Sequence, residues 1–372
     1  MSRVLVLGGA GEMGSAAVAD LVERTEHEIT VADLRPDAAT ALLQGLGARG
    51  RAIHVDVDDA ASLGSALADT DVVLNATYMR QNVAVTDAAI KAGVHLVDLG
   101  SYYPETLQQL ERHEDAVRAG CRIVPGCGVA PGLTNIVARL GADELDSVER
   151  IGLYSYITHP LWTSPGIVIT RFDASTGTSL VYQDGSLLEH PSFSQAEQID
   201  FPEPYGRHEV HLVPHPEPVT LPRYIDVPNV VFKVGYPADE ERRIRVLLEL
   251  GFDHPDPFDV DGVCISPRQF AAAYIGRRGI AATDRSANVK QIRIDGHRDG
   301  RPVGLVYDFA VEQTGRSASS AITGTIAAIA ADLVARGGPT GVHPPEGAFD
   351  PREFLRALAL RGFTVERQVI AR

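Results

Sequence analysis

The run "RVLVLGGAGEMGSAAVADLVER", Arg3 to Arg24, narrows what this chain can fold into more than any other stretch. Arg3 to Leu7 reads as a short apolar strand. Gly9, Gly11 and Gly14 then give G-x-G-x-x-G, and beyond Ser15 the residues Ala16, Ala17, Val18, Leu21 and Val22 form an apolar helical face. Strand, tight glycine turn and helix in that order are what a dinucleotide site needs. The first glycine permits the turn, the second lets backbone approach a pyrophosphate, and the third lets the helix pack close to the strand. The helix start then offers free N–H groups and a positive dipole end to the anion.

The alternation continues. Strands "EITVAD", "RAIHVDVDD", "DVVLNAT", "VHLVDLG" and "CRIVPG" are separated by helical stretches such as "AASLGSALADT" and "VAVTDAAIKAG". This pattern predicts a parallel sheet with helices on both faces and ligands at the carboxyl ends of its strands. The cofactor candidates are therefore Gly9, Gly11, Glu12, Met13 and Gly14 in the turn, Asp33, Leu34 and Arg35 after the second strand, Asp56 and Val57 at the adenine edge, and Asn75, Ala76, Thr77 and Gly100 further along. Asp33 lies 19 residues after Gly14, where a carboxylate accepts hydrogen bonds from the adenosine ribose, and this predicts NAD. Arg35 nearby can accommodate a 2′-phosphate, so NADP stays open.

"PGCGVAPGLTNIV", Pro125 to Val137, falls at the carboxyl end of the sixth strand, where a nicotinamide ring would lie. Its glycines are expected to keep side chains away from the ring. The helix beginning near Leu133 is expected to aim its N-terminus into the cleft and favour a substrate carboxylate. Catalytic candidates at the strand ends are Asp98, Tyr102, Cys127 and Asn135, with His159 beyond them as a proton relay. Arg171, Arg223 and Arg316 are candidate carboxylate forks.

From Ser147 the periodicity changes to that of an antiparallel sheet, with "DGHRDGRP" linking two alternating runs as a hairpin. "FPEPYGRHEVHLVPHPEPVTLPRY" is rich in proline and reads as an ordered loop. "SASSAITGTIAAIAADLVARGG" reads as a buried helix that packs back on the first domain. The division expected is a dinucleotide domain over 1–130, completed by helix and tail 317–372, and a substrate and dimerisation domain over 131–316, with residues 147–316 building a homodimer.

Lys and Arg total 34 against 49 Asp and Glu, a formal charge of −15, which argues against nucleic acid as a partner. No apolar run is read as approaching the roughly 18 residues of a membrane span. The N-terminus lacks a signal-peptide pattern, so a cytoplasmic location is expected. The three cysteines form no CxxC pair, and no metal site is expected.

"VLVLGGAGEMG", "DVVLNAT", "VHLVDLG", "GVAPGLTNI", the "AITG" helix and "GVHPPE" run in order along the chain. Together they resemble the saccharopine dehydrogenase-like family, most closely its lysine 6-dehydrogenase branch. The resemblance implies an α/β Rossmann dinucleotide-binding domain plus an α+β substrate and dimerisation domain with a mixed or antiparallel sheet. It also implies NAD(P)-linked oxidation of a small amine or amino acid at a C–N bond, by hydride transfer and imine hydrolysis. A reductase that condenses an amine with a keto acid, as saccharopine- or carboxynorspermidine-forming relatives do, is the alternative. An NAD(H)-binding regulator without catalysis is the alternative of another class. Many relatives carry a carboxylate just before "GVAPG"; this chain has Gly126 and Cys127 there, which predicts weaker selection for a second free amine.

Overall fold

Two sheets organise the chain in the computed structural model, which describes residues 1–48, 50–100, 102–158 and 162–371. The first is built from β1 (Arg3–Leu7), α1 (Glu12–Arg24), β2 (Glu28–Asp33), α2 (Pro36–Gly45), β3 (Gly50–His54), α3 (Ala60–Leu67), β4 (Val72–Asn75), α4 (Asn82–Ala92), β5 (His95–Asp98), α5 (Tyr103–Leu110), α6 (His113–Ala119) and β6 (Arg122–Val124). All its strands run parallel, in the order β6, β5, β4, β1, β2, β3. Val4, Leu5, Val6 and Leu7 are all buried because helices cover both faces of the sheet. The carboxyl ends of β1, β4 and β5 therefore share one edge.

The second unit contains α7 (Leu133–Ala142), β7 (Ser147–Thr158), α8 (Pro165–Ser175), β8 (Thr178–Gln183), β9 (Ser186–Pro191), β10 (Glu197–Phe201), β11 (Gly206–Leu212), α9 (Glu217–Thr220), β12 (Val230–Gly235), α10 (Ala238–Glu249), β13 (Phe258–Val260), β14 (Val263–Ile265), α11 (Pro267–Gly276), β15 (Arg285–Arg298) and β16 (Arg301–Thr314). Its sheet is mixed, because β12 runs parallel to β7 while the other pairs are antiparallel. β15 and β16 form a long hairpin whose turn residues Asp299 and Gly300 both have positive φ (53° and 69°), the geometry that matches strand twist.

The chain then returns through α12 (Ala318–Arg336), β17 (Gly341–Val342), α13 (Pro345–Ala348), α14 (Pro351–Ala359) and β18 (Glu366–Ala371). β17 adds to the edge of the first sheet beside β6. Gly324 of α12 meets α1 so closely that a Cβ there would lie 2.5 Å from Met13 O. Arg361, just after α14, pairs with Asp20 of α1.

Three expectations change. β18 pairs with β16, from Val303 opposite Ala371 to Asp308 opposite Glu366, so the last strand of the tail belongs to the second sheet. The proline-rich stretch after Phe201 holds β11 and α9, since Pro202, Pro214 and Pro216 flank these elements rather than interrupt their hydrogen bonds. α12 is long and apolar enough to cross a membrane, contrary to the reading that no such run exists, but most of it is buried between α1 and the rest of the core.

Candidate functional site

The shared edge opens onto a cleft of about 650 Å³. Ala10, Gly11, Glu12, Met13, Thr77 and Gly100 line one side; Ser164, Ile167, Thr170 and His215 line the other; Ser320 and Thr323 of α12 close one end. Leu99, Tyr102, Ala130 and Pro131 also border it.

The first glycine turn is shaped for a ligand. A Cβ on Gly14 would fall 2.3 Å from Gly8 O, so the third glycine lets α1 start against the strand. A Cβ on Gly11 would meet only Gly8 O, at 3.2 Å, and no side chain caps α1. The helix N-terminus is left for an anion. Glu12, at its mouth, accepts from the Ser320 hydroxyl at 3.0 Å. The Asp33 carboxylate turns inward, where Oδ2 accepts from Ala10 N and Oδ1 from Arg35 N, both at 3.0 Å. The Arg35 side chain borders the cleft and is 68% exposed, whereas Leu34 stands out in solvent.

Several sequence candidates hold the cleft up rather than line it. Asn75 is buried, accepting from Thr77 N and Oγ1 and donating to Asn82 Oδ1. Asp56 and Val57 lie outside the cleft, Asp56 accepting from Asp58 N, and Val57 against the core. Asp98 is fully buried; Oδ1 accepts from Gly100 N (2.8 Å) and Gly126 N (2.9 Å), and Oδ2 from Gln109 Nε2 (2.7 Å). It joins the ends of β5 and β6, and burial pushes its carboxyl up. Cys127 donates to Val124 O inside the core, and burial pushes its thiol well up, the reverse of an activated nucleophile. Tyr102 does border the cleft, but its hydroxyl donates to Thr170 O at 2.8 Å and burial pushes it well up. His159 lies outside the described residues.

The second glycine stretch does not do what its composition suggests. Gly128 N donates to Pro131 O, Leu133 N to Gly128 O, Thr134 N to Val129 O, and Gly132 N to the Asn135 side chain. The start of α7 is thus closed by its own loop and is no anion site. A Cβ on Gly128 would meet Leu99 O at 2.8 Å, so that glycine serves packing against β5's end and not clearance for a ring.

Asn135 instead belongs to a buried polar network. Its Nδ2 donates to Glu346 Oε2 (3.0 Å) and Thr220 Oγ1 (3.3 Å). Thr134 Oγ1 donates to Glu217 Oε1 (3.0 Å), and the other oxygen of Glu217 lies 2.5 Å from His215 Nδ1. The His215 ring stacks on Phe232 at 3.8 Å and 7°. Lys290 on β15 donates to Ser155 Oγ, and burial pulls it down to about 7. Burial pushes Glu346 up to about 7, and its Oε1 has no partner. Arg171 on α8 is buried, donates to the Tyr236 hydroxyl, stacks on that ring, and keeps an unpartnered Nε. Arg223 and Arg316 are exposed.

The sequence reading singled out Arg171 but missed His215, Glu217, Lys290 and Glu346. Glu346 stood inside "GVHPPE", a stretch already noticed, and was the one legible signal among them. On metals, Glu209, His211 and Glu241 do place ligand atoms within 4.8 Å of one another, away from the cleft. Arg245 already pairs with that Glu241 oxygen at 2.6 Å.

The profile of the saccharopine dehydrogenase NADP-binding domain matches residues 4–124, and that of the saccharopine dehydrogenase C-terminal domain matches residues 128–363. The chain belongs to the saccharopine dehydrogenase family. This saccharopine dehydrogenase family member therefore uses an NAD(P) cofactor, and the uncapped glycine turn is the part of the cleft that fits it. A curated relative, saccharopine dehydrogenase [NADP(+), L-glutamate-forming] of Schizosaccharomyces pombe, is 27% identical over 208 residues, 51% of this chain and 44% of the relative. In that match the chain spans less than half the relative's length. Carboxyaminopropylagmatine dehydrogenase of Synechocystis sp. is 25% identical over 97% of this chain and 96% of its own. Apo saccharopine dehydrogenase (L-Glu forming) of Saccharomyces cerevisiae shares the fold, with a TM-score of 0.77 at 18% identity over the whole of both chains.

Proposed function

We propose that this protein is an NAD(P)-dependent oxidoreductase acting at a C–N bond of a small amine or amino acid, oxidising the nitrogen-bearing carbon and hydrolysing the imine. One observation carries the reading: a single cleft joins an uncapped glycine-turn helix to a second-domain wall backed by buried ionisable groups. The cofactor, bound at the glycine turn, supplies a hydride acceptor. Gly11 to Met13 receive its pyrophosphate, and Leu99, Pro131 and Tyr102 shield the reacting carbon from water. Behind the cleft lining, Arg171 keeps an unpartnered Nε, which supports recognition of a substrate carboxylate. Asp33 at the end of β2 supports NAD, although its carboxylate is turned onto Ala10 N and Arg35 N, and the exposed Arg35, whose Nε lies 3.5 Å from Asp33 Oδ1, gives NADP a partner for its extra phosphate.

Lysine 6-dehydrogenase-like deamination is the first form of this reading. Condensation of an amine with a keto acid is the second, favoured by the relatives' names: a carboxyaminopropyl group on agmatine is an amino acid joined through nitrogen to an amine. A cleft beside the glycine turn that is also lined by second-unit residues weighs against a regulator without catalysis. We also propose a homodimer formed by the second unit, where Phe258, Val263, Phe270 and Tyr274 leave apolar surface exposed; light scattering at micromolar concentration tests it. A cytoplasmic location fits the exposed free thiol of Cys264.

The test is an absorbance screen of NAD(P) reduction with diamines and amino acids, and of NAD(P)H oxidation with pairs of keto acid and amine. Turnover with a carboxylate-bearing partner is expected. Dinucleotide binding without turnover in any pair contradicts the reading.

A further inference from the structure

Five described residues that border the cleft carry titratable side chains: Glu12, Arg35, Tyr78, Tyr102 and His215. Glu12 and Arg35 stand on the dinucleotide side. The Tyr78 hydroxyl donates to Asp173 at 2.8 Å, and burial pushes it up. The Tyr102 hydroxyl is committed to Thr170 O. His215 alone has a side chain whose ordinary titration falls near neutrality.

Its surroundings are those of an oriented base. The stack on Phe232 fixes the ring plane. The Glu217 carboxylate, fully buried, sits 2.5 Å from Nδ1 and is itself held by Thr134 Oγ1. A carboxylate in that place selects the Nδ1–H tautomer and leaves Nε2 bare, the nucleophile-free half of the base-plus-orienter arrangement used in acid–base sites. Lys290 of β15 and Glu346 of α13 are buried near enough to feel the Glu217 charge, and Lys290 also feels Arg171 of α8.

We propose that His215 is the acid–base residue of this cleft and that Glu217 is its positioning residue. The inference rests on the C–N oxidoreductase reading. In the oxidative direction Nε2 removes a proton from the substrate ammonium, which frees the nitrogen lone pair. As the carbon gives up its hydrogen with both electrons to the nicotinamide, that lone pair forms the C=N bond. After releasing its proton to solvent, His215 takes one from the attacking water, whose oxygen bonds to the iminium carbon. It then returns this proton to nitrogen as the C–N bond breaks, and the carbinolamine hydroxyl passes its own proton to the leaving amine as the carbonyl forms. The sum is substrate ammonium plus NAD(P)+ plus water giving carbonyl, the released amine as its ammonium, NAD(P)H and one proton.

The experiment compares wild type, H215N and E217Q by pH profiles and by histidine ¹⁵N spectra of the cofactor-free protein. H215N should lower kcat by roughly 10²–10⁴-fold, leave NAD(P)H affinity unchanged, and remove the limb in which amine oxidation rises with pH. E217Q should lower kcat less and move that limb to lower pH, because the imidazolium loses its anion. Added imidazole should restore part of the rate to H215A. The ¹⁵N resonances absent from H215N should report the Nδ1–H tautomer in wild type at neutral pH. An Nε2–H tautomer, or an active H215N with an unaltered limb, overturns the proposal. Failure of wild type to turn over any amine overturns the C–N reading instead, and the tautomer still decides the role of His215.

Discussion

The chain places two glycine-rich turns at the carboxyl edge of its first sheet, and they work in opposite ways. Gly8 to Gly14 leaves the start of α1 uncapped and open to the cleft. Pro125 to Gly132 folds back on itself, and the first amides of α7 are consumed by Gly128 O, Val129 O and the Asn135 side chain. Both stretches are rich in glycine. What separates a ligand cradle from a packing turn is where the freed N–H groups go.

The contrast breaks most visibly at Gly132. Its φ is +130°, and a Cβ there would sit 1.9 Å from Gly128 O. G132A should cost on the order of 4 kcal/mol of stability, read as a shift of the urea midpoint. G128V should likewise fail through folding, since its side chain meets Leu99 O rather than a ring. A G132A protein as stable as wild type would mean that the second turn is open after all.

The closed turn hides a titrating acid. Glu346 accepts from Asn135, and burial raises its carboxyl from 4.5 to about 7. A raised acid favours the protonated native state, so its contribution is full below pH 4.5 and is lost as pH rises through about 7. Relative to wild type, E346Q should therefore gain stability between pH 5 and pH 8, by up to roughly 3 kcal/mol. Denaturation of both proteins at the two pH values checks it; equal losses would contradict a buried neutral acid.

At the open turn the expected effect is on binding instead. Gly11 has φ −76°, which alanine adopts, and free space beyond Gly8 O. G11A should fold with stability close to wild type yet bind NAD(P)H at least roughly tenfold more weakly, about 1.4 kcal/mol. A fluorescence titration measures this, and unchanged affinity would remove the pyrophosphate from this turn. The smallest effect is at Arg35: R35A should weaken NADP by roughly fivefold and leave NAD unchanged, as measured by paired dissociation constants.

Local pattern accounts for what could be read from the sequence. Strand–turn–helix periodicity and the G-x-G-x-x-G spacing are properties of neighbouring residues, so the first sheet and its open turn were visible. The mixed second sheet was visible as alternation, but the parallel pairing of β12 with β7 was not, because register between distant strands leaves no local mark. The second wall of the cleft escaped for the same reason. Lys290 sits in "ANVKQIRID", where alternation suggests an exposed face, and becomes buried only when other elements cover β15. His215 and Glu217 lie in "VPHPEPVT", where prolines mask a fixed geometry. Asp98 and Cys127 were legible as residues at or just past strand ends, but not as residues enclosed by the loops that they hold, and Asn135, read with them, lies in the first turn of α7.

The central claim is that the open turn and the wall around His215 form one reaction site. Reduced-nicotinamide absorbance in a single-turnover mixture of enzyme, oxidised cofactor and a panel of carboxylate-bearing amines tests it most directly. The account predicts reduction only when cofactor and amine are both present, faster for the amino acid than for its decarboxylated counterpart. Tight cofactor binding with no reduction by any amine, in either direction, would contradict it.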